Sequence, residues 1–134
     1  MSTAQSGASG GVVIYAKDPH RVAGFYADVV GIDVVERTTD YIVMSGAAGE
    51  VSIVAMPPEI ADSVTVSSPP SPRDETPIKP LFLVRSLAHV VDCAPAHGGG
   101  TRPPSEAWDF RGTRRLDGYD PEGNVIQFVE MVAR

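Results

Sequence analysis

The sequence predicts an α+β protein of two βαβββ modules whose curved mixed sheets surround a concave cleft. Three observations lead there. An apolar strand followed by a capped helix occurs twice, at a constant offset of 68 residues. Short strand-like segments bounded by turn residues follow each helix. Between the two sets lies a proline-rich stretch, 57–78, with six prolines, which reads as a surface loop joining two units.

In the first set, GVVIYA (11–16) is an apolar, β-branched run suited to a well-buried strand. Asp18-Pro19 supplies an N-cap with proline at the first helical position. Val22, Phe25, Tyr26, Val29 and Val30 then recur at helical spacing on one apolar face, and Gly31 supplies the stop. Strands are expected at 32–36, 41–45 and 51–56, with turns at Thr39-Asp40 and 46–49. Within the linker, SVTV (63–66) is a candidate edge strand.

The second set opens on KPLFLV (79–84), with Ser86 in the capping role of Asp18. Leu87, Val90, Val91 and Ala94 form its helical face, and the glycines 98–100 end it. Pro95 has no counterpart in the first helix and is expected to distort or shorten the second. Strands are expected at 101–107, 112–119 and 124–130, the last entered through Asp120-Pro121-Glu122-Gly123. The modules are therefore 11–56 and 79–131 within one domain, 11–134, after a flexible tail, 1–10.

Composition narrows the partners. A formal charge of −6 and a pI near 4.9 argue against nucleic acid, which needs clustered Lys and Arg. No stretch approaches the roughly 18 apolar residues of a membrane span. The tail lacks the basic start and apolar run of a signal peptide, so the expected location is cytoplasmic. Cys93 is the one cysteine, which excludes an internal disulfide, and its apolar helical setting reads as a buried small hydrophobe.

Three segments carry a family resemblance: VVIYAKDPHRVAGFYADVVGI (12–32), LFLVRSLAHVVDCAPAHGG (81–99) and DGYDPEGNVIQFVE (117–130). With the intervening strands, the chain over about 11–131 resembles the vicinal oxygen chelate superfamily, the glyoxalase, bleomycin-resistance and extradiol-dioxygenase group. The resemblance implies a homodimer and a small-molecule ligand. Metal-dependent members of that group take ligands, usually His, His and Glu, from the two module-opening strands and the last strand. The matching positions are Gly11, Lys79 and Gln127, and the fourth-strand equivalent is Ile53.

None of these four is a plausible anchor for a divalent ion. Glycine and isoleucine offer no donor atom, lysine is a cation, and glutamine is weak beside a carboxylate. Glu130 lies on the opposite strand face from Gln127, and Glu50 reads as a turn residue. His20, His89 and His97 make no better set: His20 reads as solvated and His97 as a helix-terminal residue favoured by the dipole. The expectation is a cleft with no metal and no cofactor.

Strand alternation places Gly11, Val13 and Tyr15, Lys79, Leu81 and Leu83, and Val125, Gln127 and Val129 on the concave face. Val12, Ile14, Phe82, Val84, Ile126 and Phe128 then back the helices. Candidate ligand contacts are Tyr15, Lys79 and Gln127, with Trp108, Arg111 and Arg114 placed to close the mouth. Tyr15 and Lys79 read equally as packing and solvent-exposed groups. Gln127, an amide in an apolar strand, needs hydrogen-bond partners. Trp108 is a stacking platform or a lid, and Arg111, Arg114 and Arg115 are a solvated face or anion binders. Two functions fit: a metal-independent small-molecule binder of the drug-sequestering kind, or a metal-independent enzyme using Tyr15 or Lys79 on a small carboxylate or carbonyl substrate. A metal-dependent lyase or dioxygenase is the third.

Overall fold

A computed structural model describes residues 10–46 and 49–132. The expected tail and the centre of the 46–49 turn lie outside the described residues, except that Gly10 already belongs to the first strand.

The fold is α+β with two mixed sheets. β1 (Gly10–Ala16), β2 (Asp33–Arg37), β3 (Tyr41–Gly46) and β4 (Gly49–Ala55) form the first, in the order β1-β4-β3-β2. β1 runs parallel to β4 and the other pairs are antiparallel. The second sheet repeats this path with β5 (Leu81–Leu83), β9 (Val125–Met131), β8 (Thr113–Tyr119) and β6 (Gly100–Thr101). β5 runs parallel to β9, as β1 does to β4. β7 (Trp108–Phe110) makes a hairpin on the same edge of β8 as β6.

α1 (Pro19–Phe25) starts where Asp18 accepts a hydrogen bond from the Arg21 amide at 3.1 Å. Its last turn widens into a π-helical segment, Tyr26–Val30, in which the Gly31 and Ile32 amides both donate to the Tyr26 carbonyl. Gly31 ends it in the left-handed conformation, φ 90°. α3 (Leu87–Ala96) is capped by Ser86, whose hydroxyl accepts from the His89 amide at 3.1 Å. Pro95 does not shorten it. The proline sits in the last turn, so its missing amide removes a bond only where the helix is about to stop.

Three expectations fail for local reasons. The strand foreseen over 101–107 is interrupted at Pro103-Pro104, where a 3-10 turn (Pro104–Glu106) separates β6 from β7. SVTV forms no strand; the linker instead carries the short α2 (Pro58–Ala61) and extended chain. Glu50 lies within β4, opposite Gly11, and not in a turn.

Alternation is otherwise obeyed, except that Val129, on the face of β9 opposite Phe128, is also buried. Ile14, Met44, Ile53, Leu116, Ile126 and Phe128 face the helices and are buried. They join Val22, Phe25, Tyr26, Val29, Val90 and Ala94 in one core that spans both sheets. Full burial of each such side chain contributes about 1.5–3 kcal/mol.

The two repeats are joined by hydrogen bonds at one turn. Asp120, fully buried, accepts from the Tyr26 hydroxyl at 2.9 Å, the Glu122 and Asn124 amides at 2.9 and 3.1 Å, and the Asn124 side chain at 2.9 Å. Two residues on, the Glu122 carboxylate takes the Lys17 and Asp18 amides at 2.9 and 2.8 Å, gripping the entry to α1. The linker docks on the same turn through Arg73, whose amide donates to the Gly123 carbonyl.

Tyr26→Phe removes one of four donors from a buried carboxylate. It is expected to destabilise the fold by about 1.5–3 kcal/mol, read from urea denaturation midpoints. Burial pushes the Asp120 carboxyl above its ordinary value, and the hydrogen bonds only partly oppose this. The native state therefore binds more protons than the unfolded chain between those two values, and stability falls as pH rises through that window. Asp120→Asn is expected to abolish this slope, checked by melting temperature against pH for both proteins.

Candidate functional site

Each sheet buries one side against helices and leaves the other open. On the first, the open side carries Val13 and Tyr15, both more than half exposed. Ser52 and Val54 sit opposite them on β4, with Glu50 beside Gly11. Ile53, the fourth position implied by the resemblance, is fully buried under the helix and does not reach this side. The Tyr15 hydroxyl has no hydrogen bond among the described residues.

The second sheet assembles the polar group. Leu81, Gln127 and Asp117 lie in one row across β5, β9 and β8. Leu83, Val129, Arg115 and Trp108 lie in the next. Lys79, just before β5, places its ammonium 2.6 Å from the Asp117 carboxylate. The other Asp117 oxygen accepts from the Gln127 amide at 3.3 Å. The Gln127 carbonyl in turn accepts from Arg115 at 2.8 Å. Arg115 also donates through Nε to Thr113 at 3.1 Å and lies 4.8 Å above the Phe110 ring. The result is a chain, Lys79–Asp117–Gln127–Arg115, running from the approach to β5 over β8 and β9 between exposed apolar side chains (Leu81, Leu83, Trp108 and Phe110).

Lys79 and Gln127 are thus brought together, with Trp108 directly across from Arg115. Tyr15 belongs to the other sheet. Arg114 does not join them: it lies on the other side of β8, 2.9 Å from Asp109. Arg111 sits in the tight β7–β8 turn at φ 52° and is exposed, outside the polar chain. Asp117 was missed, and Arg115, read from the sequence only as part of a solvated or anion-binding arginine group, was not placed beside Gln127. Their signal was present in TRRLDGY, where period-two alternation puts 113, 115 and 117 together and 114 opposite.

The residues do not fit the divalent metal of the metal-dependent members. A Cβ added at Gly11 would overlap the Glu50 carbonyl oxygen, so that strand has no room for a ligand side chain. Lys79 and Gln127 are committed to the polar chain. Among the described residues no three His, Cys, Asp or Glu side chains are grouped to hold an ion. Where β5 passes the start of β1, a groove of about 440 Å³ is lined by Gly11, Glu50, Leu81 and Leu83, among others.

The histidines lie elsewhere. His20 is exposed beside Arg37. His97 caps α3, with Nδ1 3.1 Å from the Cys93 carbonyl and Nε2 3.0 Å from the Asp28 carboxylate. Cys93 is only half-buried, not enclosed: it packs against the margin of the core, and its thiol faces the Asp28 carbonyl on the π-helical segment. Burial and the nearby Asp28 charge push its thiol pKa up. Alkylation by iodoacetamide is therefore expected to be slower at neutral pH than for a free thiol and to accelerate into the alkaline range, followed by mass spectrometry. Rapid modification at pH 7 would contradict this.

No sequence-family profile matches the chain, and no curated protein matches it. Solved structures do. It resembles a glyoxalase/bleomycin resistance protein/dioxygenase family enzyme from Burkholderia phytofirmans PsJN, with TM-score 0.67, 17% identity, and 91% of this chain and 97% of that one covered. It resembles a glyoxalase-related enzyme from Fulvimarina pelagi, with TM-score 0.62, 19% identity, and coverage of 94% and 88%. It also resembles the bleomycin-binding protein of bleomycin-producing Streptomyces verticillus, solved with copper(II)-bleomycin, with TM-score 0.56, 15% identity, and coverage of 98% and 100%. At such identities the likeness establishes the fold.

Proposed function

From the glyoxalase/bleomycin-resistance/dioxygenase fold that the chain carries, we propose that it is a metal-independent small-molecule-binding protein, a cytoplasmic homodimer of the drug-sequestering kind. The observation that carries this reading is the state of the three module-opening and last-strand positions. Gly11 has no space for a donor, while Lys79 and Gln127 are satisfied by Asp117 and Arg115 on an otherwise apolar face. Such a face holds a ligand by burial and a few directed hydrogen bonds, without a Lewis acid. The bleomycin-binding protein among the similar structures gives the precedent for a binder on this fold.

What supports a homodimer is the apolar surface left uncovered. Val13, Tyr15, Leu81 and Leu83 are each at least half exposed on the open sides. A second copy would cover them and wall the ligand. No helix is long and apolar enough to cross a membrane among the described residues, and the charge of −6 disfavours nucleic acid.

The metal-independent enzyme is the less supported alternative. Lys79 is held in an ion pair and Tyr15 has no hydrogen-bonding base beside it.

Thermal-shift screening of metal-stripped protein against basic aromatic antibiotics and small aromatic carboxylates is expected to give stabilisation without turnover, unchanged on adding Zn²⁺, Mn²⁺ or Fe²⁺. Light scattering is expected to give twice the chain mass. Tight metal binding lost in Gln127→Ala, or turnover of a stabilising compound, would overturn the reading.

A further inference from the structure

The geometry points to Arg115 as a preorganised receptor for the carboxylate of a ligand with an aromatic or branched apolar body. This rests on the small-molecule-binding reading and names the chemistry of the ligand.

The charges on the open side of the second sheet do not cancel. Lys79 and Asp117 neutralise each other across 2.6 Å. Arg115 has no carboxylate partner among the described residues; the ion pairs there are Lys79–Asp117, His97–Asp28, Arg102–Glu106 and Arg114–Asp109. One positive charge is left over on that face.

That charge is also held still. Nε is committed to the Thr113 hydroxyl and one Nη1 proton to the Gln127 carbonyl, while the guanidinium plane lies over Phe110. What remains is one Nη1 proton and the two on Nη2, three donors in the guanidinium plane with no partner among the described residues. Two parallel donors in one plane match the two oxygens of a carboxylate. Because neutral acceptors and a ring fix the side chain, little rotamer freedom is lost when an anion arrives. The neutral contacts leave its charge uncompensated.

The setting selects the rest of the ligand. Trp108 lies across from Arg115 on β7, and Leu83 and Val129 share its row. Trp108 and Leu83 are exposed and offer a stacking surface beside the guanidinium. The chain is acidic overall, so long-range steering does not favour an anion. The attraction is local, and beyond roughly 8 Å physiological salt screens it.

Three probes with one ring system test this: 2-naphthoate, 2-naphthamide and 2-naphthylmethylammonium, titrated by calorimetry and Trp108 fluorescence. Trp108 is the one tryptophan, so the signal reports this face. Naphthoate is expected to bind about tenfold or more tightly than the amide, the range of a charge-assisted hydrogen bond, and the ammonium most weakly. Arg115→Gln, shown folded by its melting curve, is expected to weaken naphthoate by about tenfold or more and the amide by less, so that the preference for naphthoate is lost; Arg115→Lys should retain part of it. The unmodified protein alone decides the charge preference, so a poorly folding variant does not blunt the test. If the amide or the ammonium binds as tightly as naphthoate, the carboxylate receptor is wrong and the binding protein survives. If none of the three binds, both fall.

Discussion

The buried carboxylate of Asp120 and the Glu122 carboxylate beside it hold the two repeats in register. One turn of the second repeat accepts the Tyr26 hydroxyl and the two backbone amides at the start of α1. Neither acid is exposed enough to be solvated in compensation. Loss of either would leave buried donors unpaired, at a cost of about 1–3 kcal/mol each. This explains why Asp-Pro-Glu-Gly-Asn is more than a connector. Its backbone positions β9, and its side chains fix the helix of the other repeat. Tyr26 also packs against Phe82, with ring centroids 5.4 Å apart, so the same residue links the apolar core and the polar clamp.

With the helix sides thus locked together, the opposite sides of both sheets carry less of the burial, Val129 and Thr113 being buried exceptions. The open-face residues Val13, Tyr15, Leu81 and Leu83 contribute little burial within the chain. Their identity is set by what the face meets. The polar chain from Lys79 to Arg115 lies on this open surface, where side chains can change without disturbing the fold. Gly11 is the exception, fixed by backbone: β1 and β4 approach so closely at Glu50 that a side chain is excluded.

How much of this was legible in the sequence follows from range. The helix starts at Asp18 and Ser86, the stop at Gly31 and the inward strand positions are local, and local rules find them. The repeat supplied the topology, because two matching sets of elements form matching sheets. The Pro103-Pro104 interruption was missed by letting one strand run through residues that cannot donate to a ladder. The widening of the last turn of α1 depends on what packs against it, and no local pattern marks it. The site was half legible. Lys79 and Gln127 emerged from strand position and Arg115 as one of three arginines, whereas setting Arg115 and Asp117 beside Gln127 required the register of β8 against β9, a relation between residues 10 and 14 apart across a turn. Arg114 and Arg115 look alike in sequence; one residue of register places them on opposite sides.

That same one-residue distinction explains why the polar chain has its order. Gln127 is neutral and bifunctional, and it stands between an acid and a base that each have a partner preference. Its NH₂ goes to Asp117 and its carbonyl to Arg115, so the amide orientation is dictated from both ends. A carboxylate at 127 would sit beside Asp117 and repel it, and would neutralise Arg115. Glutamine keeps Asp117 paired with Lys79 and keeps the guanidinium charge available. A residue that is a poor metal ligand thus orients Arg115 without cancelling its charge.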